Sequence, residues 1–171
     1  MRIVLSIFSL LLLSGCLGMP NSVKPISGFE LNNYLGKWYE VARLDHSFER
    51  GMSQVTAEYT LNKDGGVLVT NRGYLNTEKE WKVAEGKAYF VNEESEGYLK
   101  VSFFGPFYGS YVIFELERKN YQYAFVSGPN EDYLWLLSRT PTVSPEIIEK
   151  FVIMSKERGF KTDDLIYVSH K

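Results

Sequence analysis

Cysteine and histidine are scarce in this sequence, which has one cysteine and two histidines among 171 residues. Such a chain offers too few side chains for a metal centre and cannot build a disulfide framework. An excess of one charge is lacking as well, because 19 basic residues are matched by 21 acidic ones, and this balance excludes the basic footprint of a nucleic-acid-binding protein. We therefore predict no metal, no cofactor and no nucleic-acid partner.

Long apolar runs are lacking too, apart from one at the N-terminus. Arg2 precedes the run Ile3 to Leu13, and a segment of about 11 residues is too short to cross a bilayer as a helix. The following Leu13-Ser14-Gly15-Cys16 resembles the lipobox of bacterial lipoproteins. The resemblance implies a cleaved signal peptide, residues 1–15, and a mature N-terminal Cys16 with an S-diacylglycerol and an N-palmitoyl chain. Leu17 stands where an aspartate would retain a lipoprotein in the inner membrane, which implies anchoring in the outer membrane, facing the periplasm.

Residues 16–27 are predicted to form a lipidated tether, and residues 28–171 are predicted to form one domain. Gly18, Pro20 and Pro25 interrupt regular structure in this segment. Fully extended, the residues after Cys16 reach about 36 Å. We therefore expect the domain to stand off the bilayer surface and yet remain near it.

Aromatic residues are abundant, with 12 tyrosines and 11 phenylalanines, and they fall in short segments that alternate apolar and polar residues. The clearest alternation starts at Val55, and the clearest turn is Asn62 to Gly66. Eight strands are predicted, at 38–45, 55–61, 67–74, 81–90, 98–104, 111–117, 121–126 and 133–138. Ser144 and Pro145 then begin a helix that ends at Gly159, and 165–168 forms a last short strand. The predicted fold is all-β, an eight-stranded up-and-down antiparallel barrel with one C-terminal α-helix packed outside.

Three short motifs stand at fixed places around these strands. Gly36-Lys37-Trp38 comes just ahead of strand one and follows a short helical turn, Phe29–Leu35. Lys119-Asn120-Tyr121 lies before strand seven, and Arg139 follows strand eight. Together they resemble the three signatures of the lipocalin family, although the second is usually Thr-Asp-Tyr and only its tyrosine is kept here. Residues 100–109 and 132–141 are similar to the bacterial lipocalins in particular.

The resemblance implies structural roles for Gly36, Trp38, Tyr121 and Arg139. Trp38 is expected to close the narrow end of the barrel. Arg139 is expected to lie across the Trp38 ring, as a cation–π pair, and to donate hydrogen bonds to carbonyls of the Phe29–Leu35 turn.

Alternation indicates which side chains point into the barrel. On strand four, one face carries Trp81, Val83, Glu85 and Lys87 and the other carries Ala84, Gly86, Ala88 and Phe90. The second face is expected inside, because charges avoid a dry lumen and small residues leave volume. With Trp38 inward, the same rule predicts that Glu40 and Ala42 also face inward. For Glu40 the alternatives are pairing with a tyrosine or arginine, a bulge that turns it outward, or orientation of a polar headgroup. The remaining predicted lining residues are Val55, Ala57, Tyr59, Leu99, Val101 and Phe103.

One end of the barrel is expected to form a mouth, made by the connections 47–53, 76–80, 105–110 and 127–132. Aromatic residues cluster there, at Phe103, Phe104, Phe107, Tyr108 and Tyr111. They are open to four readings: core filling, a dimer contact, a membrane-touching rim or a ligand entrance. The family resemblance favours the entrance, with Phe107 and Tyr108 as candidate ligand contacts, and implies that two copies can pair as a homodimer.

An apolar lumen with a polar, aromatic mouth suits one acyl chain with its head near solvent. The resemblance implies fatty acids or lysophospholipids as ligands, and storage or transport of lipid for membrane maintenance. Two alternatives remain, a lysolipid-processing enzyme and a structural lipoprotein with a filled barrel. Catalysis is disfavoured because Asp45, His46 and Ser47 are adjacent in the chain and point in different directions, and because His170 lies in a tail that is expected to fray. No catalytic residue is predicted.

Overall fold

The structure is a computed structural model that describes residues 17–171, so the predictions for the signal peptide and for Cys16 lie outside the described residues. A short helix, α1 (Leu31–Tyr34), precedes the strands. The eight main strands are β1 (Gly36–Arg43), β2 (Met52–Leu61), β3 (Val67–Leu75), β4 (Glu80–Phe90), β5 (Tyr98–Phe104), β6 (Phe107–Leu116), β7 (Tyr123–Ser127) and β8 (Leu134–Ser138). Helix α2 (Pro145–Glu157), a 3₁₀ turn (Thr162–Asp164) and a two-residue strand, β9 (Ile166–Tyr167), complete the chain. None of the helices within residues 17–171 is long and apolar enough to cross a bilayer.

The sheet closes on itself. Each main strand pairs antiparallel with its sequence neighbours, and β1 closes the ring by pairing with both β2 and β8. The predicted up-and-down barrel is confirmed. Closure gives most backbone groups a partner and leaves few free strand edges. At the junction of β4 and β5, only Lys87 to Phe90 of β4 pair with β5, so the first seven residues of β4 have no partner in β5.

The external helix is confirmed as well, and it begins and ends where the sequence predicts. Pro145 occupies its first position after Ser144, and Gly159 follows its end with a φ of +88° that suits glycine. Phe151, on the side of the helix that faces the barrel, is fully buried. Its ring centroid lies 5.0 Å from that of Phe125 on the outer face of β7. The helix thus covers one wall of the barrel and leaves the lumen to the strands.

The segment 17–27, predicted as part of the lipidated tether, is packed on the barrel and does not extend away from it. Val23 is only 3% exposed and joins the apolar cluster between the barrel wall and α2. The amide of Ile26 donates to the carbonyl of Ile113 at 2.9 Å, and the amide of Gly18 donates to Ser110 Oγ at 2.9 Å. The glycines and prolines signalled irregular backbone, but Met19 and Val23 supply apolar side chains that hold the segment to the outer wall, and Ile26 joins the inner core.

A bulge in β1 reverses one predicted orientation. Glu40 pairs with Leu137, but Ala42 pairs with Leu136, so β1 carries one extra residue between them. Ala42 therefore turns outward into the apolar cluster under α2, and the predicted inward position of Ala42 is wrong. Arg43, opposite Trp135, takes the inward place instead.

Some predicted boundaries shift at the turns. Strand β6 already begins at Phe107, so β5 and β6 are joined by the two-residue turn Gly105-Pro106 and not by a loop over 105–110. Strand β7 begins at Tyr123, because Tyr121 lies in the preceding turn with a φ of +53°. The C-terminal tail, expected to fray, lies against β1, where His170 Nε2 is 2.7 Å from the backbone oxygen of Glu40.

Candidate ligand-binding site

The narrow end of the barrel is closed by the signature residues. Gly36 has a φ of +92°, which favours glycine, and it brings the chain into β1 just before the fully buried Trp38. Trp38 Nε1 donates to the carbonyl of Tyr34 in α1 at 2.8 Å. The Arg139 guanidinium lies 4.0 Å from the Trp38 ring, and it donates to the carbonyls of Leu35 and Lys37 at 2.9 and 2.8 Å. The expected contacts of Trp38 and Arg139 are therefore present. They belong to the fold and leave the opposite end of the barrel for a ligand.

Tyr121 supports the same end from the β6–β7 turn. Its hydroxyl accepts a hydrogen bond from the Glu30 amide at 3.1 Å, just ahead of α1, and its backbone oxygen accepts one from Arg139 Nε at 3.3 Å. In place of the usual second signature, the Glu117 carboxylate caps this turn by accepting hydrogen bonds from the amides of Lys119 and Asn120, both at 2.8 Å.

Three tyrosines form the floor of the lumen above Trp38. The Tyr111 hydroxyl lies 2.7 Å from that of Tyr34 and 2.8 Å from that of Tyr59, so Tyr111 bridges α1, β2 and β6. Burial raises the pKa of all three phenols above the ordinary value, and they stay neutral hydrogen-bonding groups. Tyr111 is therefore a floor residue, and its predicted place at the mouth is wrong.

Small residues line the upper half of the lumen. Cross-strand register puts Ala84, Gly86 and Ala88 opposite Asn71, Val69 and Val67 of β3, and Val67, Val69 and Ala88 belong to the inner core. The predicted inward face of β4 is thus the observed one. Ala84 is exposed to solvent even though it faces inward, and Ala57 is half-buried on the neighbouring wall. The upper lumen is consequently open, in contrast to the tyrosine floor.

The other predicted lining residues also face inward. Val55 lies against Gly73, where an added Cβ would meet it at 3.2 Å, and Tyr59 and Leu99 are buried in the inner core. Val101 and Phe103 pack against that core but keep partial exposure. Whether these side chains contact a ligand stays a prediction.

A buried polar cluster lies at the mouth, under the loop 44–51 that joins β1 to β2. Glu40 faces inward as predicted, and its Oε1 accepts a hydrogen bond from Arg43 Nη1 at 2.6 Å. Arg43 Nη2 also donates to the carbonyl of Glu49 at 2.8 Å. The Glu49 carboxylate accepts a hydrogen bond from Trp135 Nε1 at 3.2 Å and lies 3.0 Å from His46 Nε2. The His46 nitrogen is poorly aligned for a hydrogen bond with this carboxylate.

The pKa values of the two carboxyl groups in this cluster shift in opposite directions. Burial, helped by the nearby Glu49 carboxylate, raises the pKa of Glu40 well above its ordinary value against the opposing effect of Arg43. Burial also acts to raise the pKa of Glu49, but the contacts with His46, Glu40 and Trp135 outweigh it and lower that pKa. Glu40 therefore binds a proton more tightly than Glu49 does, and the cluster binds the mouth loop to the barrel wall. Because Glu40 is occupied in this way, the structure favours its internal pairing over headgroup binding.

The aromatic residues of the β5–β6 hairpin do not share one environment. Phe104 and Phe107 flank the turn and are 71% and 64% exposed. Tyr108 lies on the outer face, where the ring of Tyr89 and the ammonium of Lys100 contact it. Its predicted place in the mouth is wrong, because alternation from the inward Gly109 turns it out.

A cleft of about 400 Å³ lies on this outer face where β4 and β5 separate. Its lining includes Lys87, Ser102 and Tyr108 from the outer face and also Gly86 and Phe103, which face the lumen. Sequence reasoning missed both this cleft and the inward Arg43. The position of the cleft depends on where β4 and β5 stop pairing, and the inward orientation of Arg43 depends on a bulge. Neither feature produces a periodic pattern in the sequence.

The residues that could support catalysis lie in different environments in the mouth loop. His46 is buried against Glu49, whereas Ser47 beside it is exposed. Within residues 17–171 there is no group of three or more side chains placed to hold a metal ion.

Comparison with known proteins agrees with this architecture. The family described as "Lipocalin-like domain" matches residues 29–170. The chain is 71% identical to "Outer membrane lipoprotein Blc" of Vibrio cholerae serotype O1 over the full length of both proteins. It is 48% identical to the Escherichia coli K12 protein of the same name, over 87% of this chain and 84% of that one. Among solved structures, insecticyanin from the tobacco hornworm Manduca sexta superposes with a TM-score of 0.70 at 19% identity, covering 87% of this chain and 85% of that one.

The chain belongs to the lipocalin family. Within that family it is of the bacterial outer-membrane lipoprotein type, and its localisation is the outer membrane. Membership of this family points to a binding protein rather than an enzyme.

Proposed function

We propose that this lipocalin binds a single-tailed lipid, a fatty acid or a lysophospholipid, and stores or transports it for maintenance of the outer membrane without acting on it chemically. The observation that carries the proposal is the exposure of inward-facing small residues in the upper lumen, above all Ala84 and Ala57. An acyl chain would replace water there and bury apolar surface on both sides.

The two halves of the lumen support a defined orientation of the ligand. The tyrosine floor and Trp38 fill the narrow end, so the end of an acyl chain would stop above Tyr59. The polar groups available to a headgroup lie at or outside the mouth. A lipid with one chain therefore fits with its tail towards the floor and its head towards solvent.

Native mass spectrometry of the protein purified from a Gram-negative host tests the proposal directly. A co-purified lipid of one chain is the expected result, and its mass identifies the class. A protein that carries no lipid and fails to bind added oleate or lysophosphatidylethanolamine would instead favour the structural lipoprotein. Turnover of lysophosphatidylethanolamine by the pure protein would favour the enzyme.

A pair of neighbouring substitutions tests whether the lumen is the site. Ala84→Trp places a large ring in the open half of the lumen, whereas Val83→Trp places the same ring on the outer face, where Val83 is exposed. We expect Ala84→Trp to weaken oleate binding at least about tenfold, because an indole in the open lumen excludes several methylene groups worth about 0.8 kcal/mol each. Val83→Trp should bind like the unmodified protein. Equal binding by both variants would rule out the upper lumen as the site.

We further propose that Cys16 carries the lipid anchor, with residues 1–15 removed, and that two copies pair as a homodimer. The lipobox and the family support the anchor, and the exposed Phe104 and Phe107 support an additional apolar contact. Mass spectrometry of the mature N-terminal peptide tests the anchor, since an unmodified Cys16 would contradict it. Sedimentation of the Phe107→Ser variant tests the dimer, since a dimer unaffected by this change would place the contact elsewhere.

A further inference from the structure

The outer cleft between β4 and β5 contains a polar group that the fold does not satisfy. Ser102 is only 8% exposed, and its Oγ has no hydrogen-bond partner. A buried hydroxyl without a partner destabilises a protein unless a ligand or water supplies one. The register of β4 and β5 places Ser102 directly opposite Lys87, so both side chains lie on the outer face, where both residues line the cleft.

The rim of the cleft carries charges of both signs. Lys87 and Glu85 project from the outer face of β4, and both line the cleft. The Tyr108 ring forms the opposite side, with the Lys100 ammonium 5.2 Å from its centroid. This set of groups matches a zwitterionic phosphate ester. The phosphate of such a ligand would face the Lys87 ammonium, and its cationic group would face the Glu85 carboxylate.

The cleft and the lumen are separated by very little material. Gly86 has no side chain, and a Cβ added there would lie 2.9 Å from the Phe103 ring, which therefore lies directly against it on the lumen side. Both residues also line the cleft. Beyond Lys87 and Ser102 the two strands no longer pair, so no strand pairing closes the wall beside Phe103.

We propose that this cleft is the headgroup subsite for a zwitterionic lysophospholipid whose acyl chain lies in the lumen and leaves it between the unpaired ends of β4 and β5, beside Phe103. The inference rests on the proposed lipid-binding function and extends it. Lys87 binds the phosphate, Ser102 hydrogen-bonds to the glycerol or phosphate oxygens, and Glu85 faces the ammonium. A fatty acid lacks these groups and gains nothing from the cleft.

The test compares two ligands with the same chain, oleate and 1-oleoyl-lysophosphatidylethanolamine, by isothermal titration calorimetry. Lys87→Gln and Ser102→Ala should each weaken lysolipid binding about tenfold, the size expected for loss of one hydrogen bond to a charged group. Oleate binding should change less than about twofold. Lys63→Gln is the matched control, because Lys63 is an exposed lysine in the β2–β3 turn, away from the cleft. It should leave both affinities unchanged.

Ser102→Ala also separates a ligand role from a structural one. Because Oγ has no partner in the ligand-free protein, its removal should leave the thermal midpoint unchanged or raise it, while lysolipid affinity falls. A lowered midpoint together with unchanged lysolipid affinity would show a structural hydroxyl and overturn the proposal.

The remaining outcomes are also decisive. Inorganic phosphate and glycerophosphoethanolamine should bind at least about a hundredfold more weakly than the lysolipid, because they lack the chain. Equal binding would make the cleft an independent phosphate site and overturn the link to the lumen. If oleate binds and lysolipid affinity is unaffected in both cleft variants, this inference fails and the proposed function stands. If neither lipid binds the unmodified protein, the proposed function itself fails.

Discussion

Arg139→Lys should destabilise the barrel even though the charge is kept. The guanidinium holds four carbonyl groups at once, those of Asn33, Leu35, Lys37 and Tyr121, at 2.8 to 3.3 Å. A lysine ammonium has no planar fork and cannot reach all four from one position. The change therefore removes the bonds that join α1, β1 and the β6–β7 turn while it leaves a cation near the Trp38 ring.

The size of the effect follows from the surroundings of these carbonyls. The bonds to Lys37 and Asn33 are exposed, so water can replace them at a cost of about 0.5 kcal/mol each. Those to Leu35 and Tyr121 are partly buried, and each should cost about 1 kcal/mol or slightly more. If the ammonium recovers one bond, the net loss is about 2 kcal/mol, which corresponds to a drop in Tm of roughly 4–8 °C for a chain of this length.

Urea unfolding followed by tryptophan fluorescence measures this loss. Arg118→Lys is the control, because Arg118 donates to the carbonyls of Ser27 and Gly28 at the same end of the barrel but both of its bonds are exposed. The control should cost less than about 0.5 kcal/mol. Equal stabilities of the two variants would mean that the Arg139 fork does not stabilise the closed end, and the reasoning would be refuted.

Three further changes follow from the buried groups. Tyr111→Phe should lower the free energy of unfolding in urea by about 1–3 kcal/mol, because two buried phenols lose their shared partner. Tyr59→Phe breaks only one of these bonds and should cost less. The reverse order would contradict the bridging role of Tyr111. Glu40→Gln should have the same free energy of unfolding as the unmodified protein at acid pH and a higher one as the pH rises. The raised pKa of Glu40 means that the folded state holds a proton, and the stabilising effect of that proton is lost as the pH rises through this pKa. Urea midpoints across that pH range check this, and a gap that closes towards alkaline pH would be inconsistent with it. Val23→Asp should speed hydrogen exchange in residues 17–25 while the barrel strands keep their protection, and unchanged exchange there would mean that Val23 does not hold the segment.

Much of the fold could be predicted because it depends on local patterns. Strict alternation from Val55 and the alternate small residues Ala84, Gly86 and Ala88 each determine one inward face, and the observed register agrees with both. The helix is equally local, since Ser144, Pro145 and Gly159 mark its ends in the sequence itself. In these segments, one choice of face buries the apolar residues and the other buries charge.

The packed N-terminal segment and the outer cleft could not be predicted in the same way. Pro20 and Pro25 signal the absence of helix and strand, but they carry no information about whether Val23 finds a neighbour. The cleft depends on the point at which β4 and β5 stop pairing after Lys87 and Ser102, and no residue type marks that point. Both features are determined by contacts between segments far apart in the chain.

The bulge in β1 explains why the same alternation rule gave the correct face on β4 and the wrong one at Ala42. Up to Glu40 the pattern holds, and the residue after the bulge faces the opposite side. The consequence is more than one misplaced methyl group, because the shift brings Arg43 inside, next to Glu40 and beneath the loop that contains Glu49. A buried carboxyl so close to the lumen would otherwise lack a cation, and burying an unpaired charge is costly. The extra residue in β1 is therefore what allows an acidic group at the mouth of an otherwise apolar barrel.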